Sequence, residues 1–300
     1  MSHDHAHDTG LRALAVALTI NTVFLVVEVV GALYADSLTL LADAVHMLTD
    51  SASLGLALFA AWVTARPADA KRTYGYQRAE VVAAFVNAIF LFATVGYILY
   101  ESVQRFQDPR PVRPLVVVGV GLLGLAANLA AAWVLRERRD VLNVEGAFVH
   151  LLADALGSVA AIGVGIALVF TDLLILDPLF ALVVSGLVIY SAKDLLADSL
   201  NILLQGTPRG VSVAEVTEYL RDLPGVLDVH DVHVWALSST DYSLSAHIVV
   251  AEDADPDELL GVCRTRLGRE FDIDHATIQV ESASFSHVAD FDCYQIDGKH

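Results

Sequence analysis

His46 and Asp50, in the stretch DAVHMLTD that begins at Asp43, stand four residues apart, as do His150 and Asp154 in HLLAD. Residues i and i+4 are neighbours on one face of an α-helix, so each pair presents an imidazole and a carboxylate side by side. Both pairs lie inside long apolar runs, where an ionisable group is costly and by default marks a functional site. Two imidazoles and two carboxylates make a complete ligand set for a tetrahedral divalent metal, and this mixture of nitrogen and oxygen suits Zn²⁺ better than Mg²⁺ or Ca²⁺. Asp43 shares the His46 face and is a candidate to hold an imidazole in its ligating tautomer. One such pair alone has a bland alternative, a hydrogen-bonded couple between helices. Two pairs in separate apolar runs favour the metal.

The elements that must carry these pairs are membrane helices. The 300 residues are 55% hydrophobic and 18% charged, outside the range of soluble globular chains. Crossing a hydrocarbon core takes about 20 helical residues. Apolar runs at 14–35, 38–65, 81–106, 115–135 and 147–170 are long enough, and a sixth starts after Asp177-Pro178, read as N-cap and first helical residue. Six crossings place both termini on one side. Arg66, Lys71, Arg72 and Arg78 fall in one loop and Arg136, Arg138 and Arg139 in another, against Arg105, Arg110 and Arg113 in the opposing loop, so a moderate positive-inside bias points to that side as cytoplasmic. Small residues Gly55, Ala57, Gly157 and Ala160 are expected to let the helix backbones approach. Asn21, Glu28, Asn87 and Asn128 read as interhelical hydrogen-bond partners, with Glu28 also a candidate proton carrier.

Past Gly206-Thr-Pro208 the pattern becomes that of a small α+β domain. Helical periodicity at 213–223 and 256–271 brackets alternating runs at 226–237 and 242–251, and a third strand is expected at 276–281. The order α-β-β-α-β predicts an open sheet with helices on one face, ferredoxin-like in its layering. The division expected is a His-rich tail at 1–10, a six-helix membrane domain at 11–207, a cytoplasmic metal-binding and dimerisation domain at 208–285, and a flexible tail at 286–300. The first residues lack the features of a signal peptide, so they are expected to be retained. The tract SHDHAHD is either a weak metal-gathering segment or a solvated tail. A net charge of −18, mostly from the C-terminal third, argues against a nucleic-acid partner and suits cations. Two cysteines, Cys263 and Cys293, are too few for a disulfide framework.

Histidines recur in the soluble part: His230, His233 and His247 accompany Asp231 and Glu281. Strand alternation sets His233 against Val232 and Val234, His247 against Ile248, and Glu281 against Val280. His230 lies at a strand entrance, where alternation is a weaker guide.

The segments YADSLTLLADAVHMLTDSASLGLALFA, RTYGYQRAEVVAAFVNA, NVEGAFVHLLADALGSV and SLNILLQGTP, with HDVHVWALSSTDYSLSAHIVV and TIQVE in the soluble part, resemble the cation diffusion facilitator transporters, in their zinc-transporting branch. The resemblance spans nearly the whole chain. It implies a homodimer in the bacterial inner membrane, a polytopic α-helical membrane protein with six transmembrane helices and a C-terminal ferredoxin-like cytoplasmic domain, exporting Zn²⁺ in exchange for protons. By that match His46, Asp50, His150 and Asp154 form the transport site, and their two histidines imply zinc over cadmium. His230, His247 and Glu281 are implied as a cytoplasmic metal site near the dimer interface, with His233, Asp231, His287, Asp290 and Cys293 as candidate further ligands. Some relatives carry another site in the loop between spans two and three; the matching residues here are Asp69, Arg72 and Tyr76, so none is expected. The rival classes are a membrane metalloenzyme, which would need an open coordination position and a separate base absent from these motifs, and a metal-sensing receptor.

Overall fold

The computed structural model describes residues 2–64, 66–136 and 142–284. Six long helices come first: α1 (Ser2–Ala35), α2 (Leu38–Thr64), α3 (Arg78–Gln107), α4 (Pro114–Leu135), α5 (Leu142–Phe170) and α6 (Leu176–Leu203). They are followed by α7 (Val213–Arg221), β1 (Val226–Ala236), β2 (Tyr242–Val250), α8 (Pro256–Glu270) and β3 (Ile273–Ser282). The chain forms two compact units, residues 1–58 with 86–194, and residues 59–85 with 195–300.

In the first unit α2 is apolar on two sides. Leu40, Ala44 and Met47 pack with Phe24 and Leu25 of α1, Val117 and Val120 of α4 and Leu168 of α5. Leu38, Ala42 and Val45 pack instead with Leu91, Val95 and Ile98 of α3 and Ala181 and Val188 of α6. Outward residues are equally apolar: Val86 and Phe90 on α3 and Leu187 on α6 are exposed. That arrangement belongs in lipid, where exposure of such side chains carries no penalty. Among the described residues five helical stretches are long and apolar enough to cross a membrane: Leu18–Ala35, Arg78–Gln107, Pro114–Leu135, Phe148–Phe170 and Leu176–Leu203. The described apolar stretch of α2 is Leu38–Thr49, shorter than a full crossing.

Several local features differ from the sequence expectations. The α1 backbone is helical from Ser2, so the His-rich tract continues the helix. The side chains of His3, His5 and His7 lie outside the described residues. α6 starts at Leu176, and Asp177, expected to cap it, caps α2 instead. Its fully buried carboxylate accepts hydrogen bonds from Ser37 Oγ (2.5 Å) and from the backbone N–H groups of Leu38 (2.8 Å) and Thr39 (3.1 Å). These are orphan donors of a helix start, so one carboxylate meets both the unpaired N–H groups and the positive end of the dipole. Of the glycines expected to let helices approach, Gly157 faces Asp43 of α2, but Gly55 does not serve, and others do. A Cβ at Gly31 would lie 2.5 Å from Val120, at Gly121 2.8 Å from Ile162 and at Gly165 2.8 Å from Val118, whereas at Gly55 it would meet nothing within 4 Å. Close packing therefore runs from α1 to α4 and from α4 to α5.

The second unit contains a three-stranded sheet in the order β1-β2-β3, with β1 antiparallel and β3 parallel to β2. β3 begins three residues earlier than the alternation indicated, at Ile273. Leu244, Ala246, Ile248 and Val250 of β2 share one apolar cluster with Val216 and Leu220 of α7 and Leu259, Cys263 and Leu267 of α8. Both helices therefore cover one face of the sheet. Ser245, His247 and Val249 belong to the other face by alternation.

Candidate metal centres

The first centre joins α2 to α5. Nε2 of His46 lies 3.7 Å from Oδ1 of Asp154, and Nε2 of His150 lies 3.7 Å from Oδ2. The two imidazole rings stand 6.0 Å apart, nearly perpendicular. Both Asp154 oxygens are buried, and neither accepts a hydrogen bond among the described residues. A bare buried carboxylate costs several kcal/mol, on the order of the desolvation of one ion, unless a cation or donors compensate. Zn–N and Zn–O bonds of about 2.0–2.1 Å in tetrahedral geometry put ligand atoms about 3.3–3.4 Å apart, so gaps of 3.7 Å close with small side-chain adjustments. The backbone places Asp50 one turn beyond His46 on α2, and its side chain lies outside the described residues.

Around this centre, α1 contributes the buried Glu28, close to Asp43 of α2. Asp43 also sits beside Gly157 of α5, where a Cβ would lie 3.6 Å from its Oδ1. Asn128 Nδ2 of α4 donates to Ser158 Oγ of α5 at 3.5 Å, the interhelical role expected of it.

The second centre lies on the open face of the sheet. His230 and His247 are cross-strand partners in the β1–β2 register, and Glu281 is on β3, paired through β2. One ligand atom from each falls within 4.8 Å of the others. His247 Nδ1 is 2.8 Å from Glu281 Oε1, His230 Nε2 is 3.7 Å from Glu281 Oε2, and the imidazole rings are 5.3 Å apart. Glu281 is buried, and its Oε1 also accepts from Gln279 Nε2 at 2.9 Å.

Alternation alone missed the device that assembles this face. The register slips between His230 and His233, and Asp231 takes a left-handed φ of +50°, the mark of a β-bulge. The extra residue reverses the alternation within β1. Val229 before it and Val232 and Val234 after it all pack on the apolar cluster, and His233 is carried opposite Ser245. Asp231 then faces two histidines, its Oδ1 3.0 Å from His233 Nε2 and its Oδ2 3.6 Å from His247 Nε2. Asp-Val between two histidines was the only cue, since Asp tolerates left-handed φ better than most residues. His287, Asp290 and Cys293 lie outside the described residues.

In the loop before α3, Asp69 is committed to its own turn. It accepts backbone N–H bonds from Lys71 (2.7 Å) and Arg72 (2.9 Å) and the Tyr76 hydroxyl at 3.2 Å. The two backbone donors, with smaller help from Tyr76 and the Arg72 guanidinium, hold its carboxyl below the ordinary carboxylate range.

A buried carboxylate flanked by imidazoles inside apolar helices, in a chain whose C-terminal sheet carries its own histidine cluster, directs comparison to metal transporters. The family profile described as the cation efflux transmembrane domain matches residues 14–204, and the cation efflux protein cytoplasmic domain matches residues 208–283. The chain belongs to the cation efflux family. It is a multi-pass membrane transporter and not an enzyme. Similar proteins include the metal cation efflux system protein CzcD of Cupriavidus metallidurans, 41% identical over 94% of this chain and 90% of that one. The zinc transporter ZitB of Escherichia coli is 39% identical over 94% and 93%. The cadmium, cobalt and zinc/H⁺-K⁺ antiporter of Bacillus subtilis is 33% identical over 96% and 94%.

Proposed function

We propose that this cation efflux protein exports Zn²⁺ from the cytoplasm across the inner membrane in exchange for protons. His46, Asp50, His150 and Asp154 hold the ion in transit. The observation that carries the reading is Asp154, a buried carboxylate with one imidazole from α2 and one from α5 facing its two oxygens. The names of the ZitB, CzcD and Bacillus relatives favour zinc among divalent metals. α2 completes six crossings: its 27 residues extend about 40 Å at 1.5 Å each, against a hydrocarbon core of about 30 Å. Both termini are then cytoplasmic. The two helices on one face of a mixed sheet favour ferredoxin-like layering for the second unit, and the match to a cation efflux cytoplasmic domain supports a homodimer. His230, His247 and Glu281 bind a regulatory Zn²⁺, with Asp231 and His233 within reach.

Exchange with protons has a direct physical basis. An imidazole ligates only when neutral, and free imidazole titrates near pH 6.5, so ion and protons compete for the same nitrogens. Alternating access exposes the centre to each side in turn. The test is zinc flux into proteoliposomes under an imposed pH gradient, with Asp50→Ala and Asp154→Ala as variants and Cd²⁺ as competitor. Flux should follow the gradient and fall at least about 100-fold in either variant. Flux indifferent to the gradient would sink the exchange, and flux retained in Asp154→Ala would sink the site.

A further inference from the structure

Where α2 ends and α3 begins, the second unit holds a cavity of about 440 Å³ lined by Phe59, Arg72, Tyr76, Arg78 and Val82. Its walls are of two kinds. Phe59 on the last turns of α2 and Val82 on the first turns of α3 are exposed apolar side chains. At the other end stand two guanidiniums and a phenol hydroxyl. Such a cavity combines an apolar wall with a cationic one.

Arg78 decides what the cavity fits. It is half-buried, yet it makes no hydrogen bond or ion pair among the described residues. Glu80, the acidic residue of the same helical turn, accepts instead from Ser239 Oγ at 3.1 Å. Arg72 is partly satisfied: its Nη1 donates to Tyr76 OH at 3.3 Å and lies 3.7 Å from Asp69 Oδ2. The rim is fixed in place, because Asp69 and Arg72 bridge the turn and Gly75, at φ +72°, donates its N–H to the Arg72 carbonyl at 2.9 Å. A guanidinium held half-buried with open donors is suited to a phosphate, which it can meet with two parallel hydrogen bonds. Beside the cavity the exposed Trp62 carries the Arg66 guanidinium 4.1 Å over its ring, a pairing typical of the membrane–water boundary.

We infer that this cavity binds an anionic phospholipid, its headgroup phosphate on Arg78 and Arg72 and its acyl chain along Phe59 and Val82. Free phosphate would use the same guanidiniums but gains nothing from the apolar wall. The loop of Arg66, Lys71, Arg72 and Arg78 faces the cytoplasmic leaflet under the orientation proposed above, and that leaflet is the anionic one. The binding is independent of the ligand assignment within the membrane.

The test uses full-length protein in detergent, titrated with phosphatidylglycerol or phosphatidylcholine and read by native mass spectrometry, with Arg72→Gln, Arg78→Gln, Arg78→Lys and, as a control on α8, Arg264→Gln. Each lost arginine should weaken phosphatidylglycerol retention about fivefold, since one basic residue near an anionic surface contributes about that much. Arg264→Gln should leave retention unchanged, Arg78→Lys should keep part of it, and phosphatidylcholine should bind weakly throughout. Millimolar inorganic phosphate should fail to displace the lipid. The inference is overturned if wild type binds the two lipids alike, if Arg78→Gln retains phosphatidylglycerol fully, or if phosphate competes as well as lipid does. It is equally overturned if Val82→Cys cross-links to a second copy and excludes lipid, because the cavity is then covered by protein. A variant that misfolds is recognised by its elution profile, and Phe59→Ser then tests the apolar wall in its place.

Discussion

Replacing Glu281 with Gln keeps the shape of the second centre and removes its one buried charge. Glu281 lies 2.8 Å from His247 and 3.7 Å from His230, and Gln279 steadies it at 2.9 Å. A carboxamide is a far poorer zinc ligand than a carboxylate, and loss of even an outer partner of a metal ligand costs 10–100-fold in affinity. Loss of a direct ligand should therefore weaken binding at least about 100-fold, roughly 2.7 kcal/mol. The consequence can be read from stability. Zinc at about 100 times the wild-type dissociation constant stabilises the domain by about 2.7 kcal/mol, whereas the same concentration gives the variant only about 0.4 kcal/mol. For a domain of this size 1 kcal/mol moves Tm by about 4–8 °C. The zinc-induced shift should then fall from about 11–22 °C to about 2–3 °C. Differential scanning fluorimetry of the full chain measures both shifts. Equal shifts in wild type and Glu281→Gln, or no shift in wild type, would refute the assignment of the three residues to one ion.

Other predictions follow from single contacts. Asp177→Ala should destabilise the membrane unit by about 3–5 kcal/mol, because it strips the buried start of α2 of three donors' partner and leaves Arg105, 3.7 Å away, without that carboxylate; the denaturant midpoint in detergent reports it. Gly121→Leu should lower both stability and flux, since a Cβ there already meets Ile162 at 2.8 Å across the α4–α5 contact that carries His150 and Asp154. Burial pushes the Cys263 thiol up to about 11, so in a Cys293→Ser background its alkylation should stay slow at pH 8 and accelerate only as pH approaches that value, or on unfolding. Asp69, with its carboxyl held low by Lys71 and Arg72 N–H groups, steadies its loop above the ordinary carboxylate pKa of about 3.9. That contribution is lost as pH falls through the depressed value, which the loop amide resonances would follow.

Much of this was legible in sequence wherever a short-range pattern decides the outcome. The apolar runs became α1 to α6, and the i, i+4 spacing of His150 and Asp154 survived as a 3.7 Å approach. Alternation at 242–251 fixed which face of β2 carries His247. What stayed hidden depends on partners distant in the chain. Asp177 reads as the cap of its own helix until α2 is placed against it, because a carboxylate serves whichever orphan N–H groups arrive. The helix-contact role expected of Gly55 falls to Gly31, Gly121 and Gly165, since composition names small residues without naming which face meets a neighbour. The bulge at Asp231 is a property of register between two strands, and one strand alone cannot display it.

The two centres differ in how their carboxylates are held, and that difference matches the tasks proposed for them. Glu281 is held by Gln279, which is not itself a ligand, at hydrogen-bond distance. Partners of this kind orient a ligand beforehand and raise metal affinity 10–100-fold, which suits an ion that stays. Asp154 accepts no hydrogen bond among the described residues, and its imidazoles stand back at 3.7 Å. An ion entering there must draw its ligands inward, and an ion leaving surrenders no prearranged geometry. A transport centre must bind and also release on every cycle, so tight preorganisation would slow it. Zinc should accordingly bind the soluble centre more tightly than the membrane one. Calorimetry comparing Glu281→Gln with Asp154→Asn should remove the high-affinity phase in the first and the low-affinity phase in the second; the reverse assignment would overturn this division of roles.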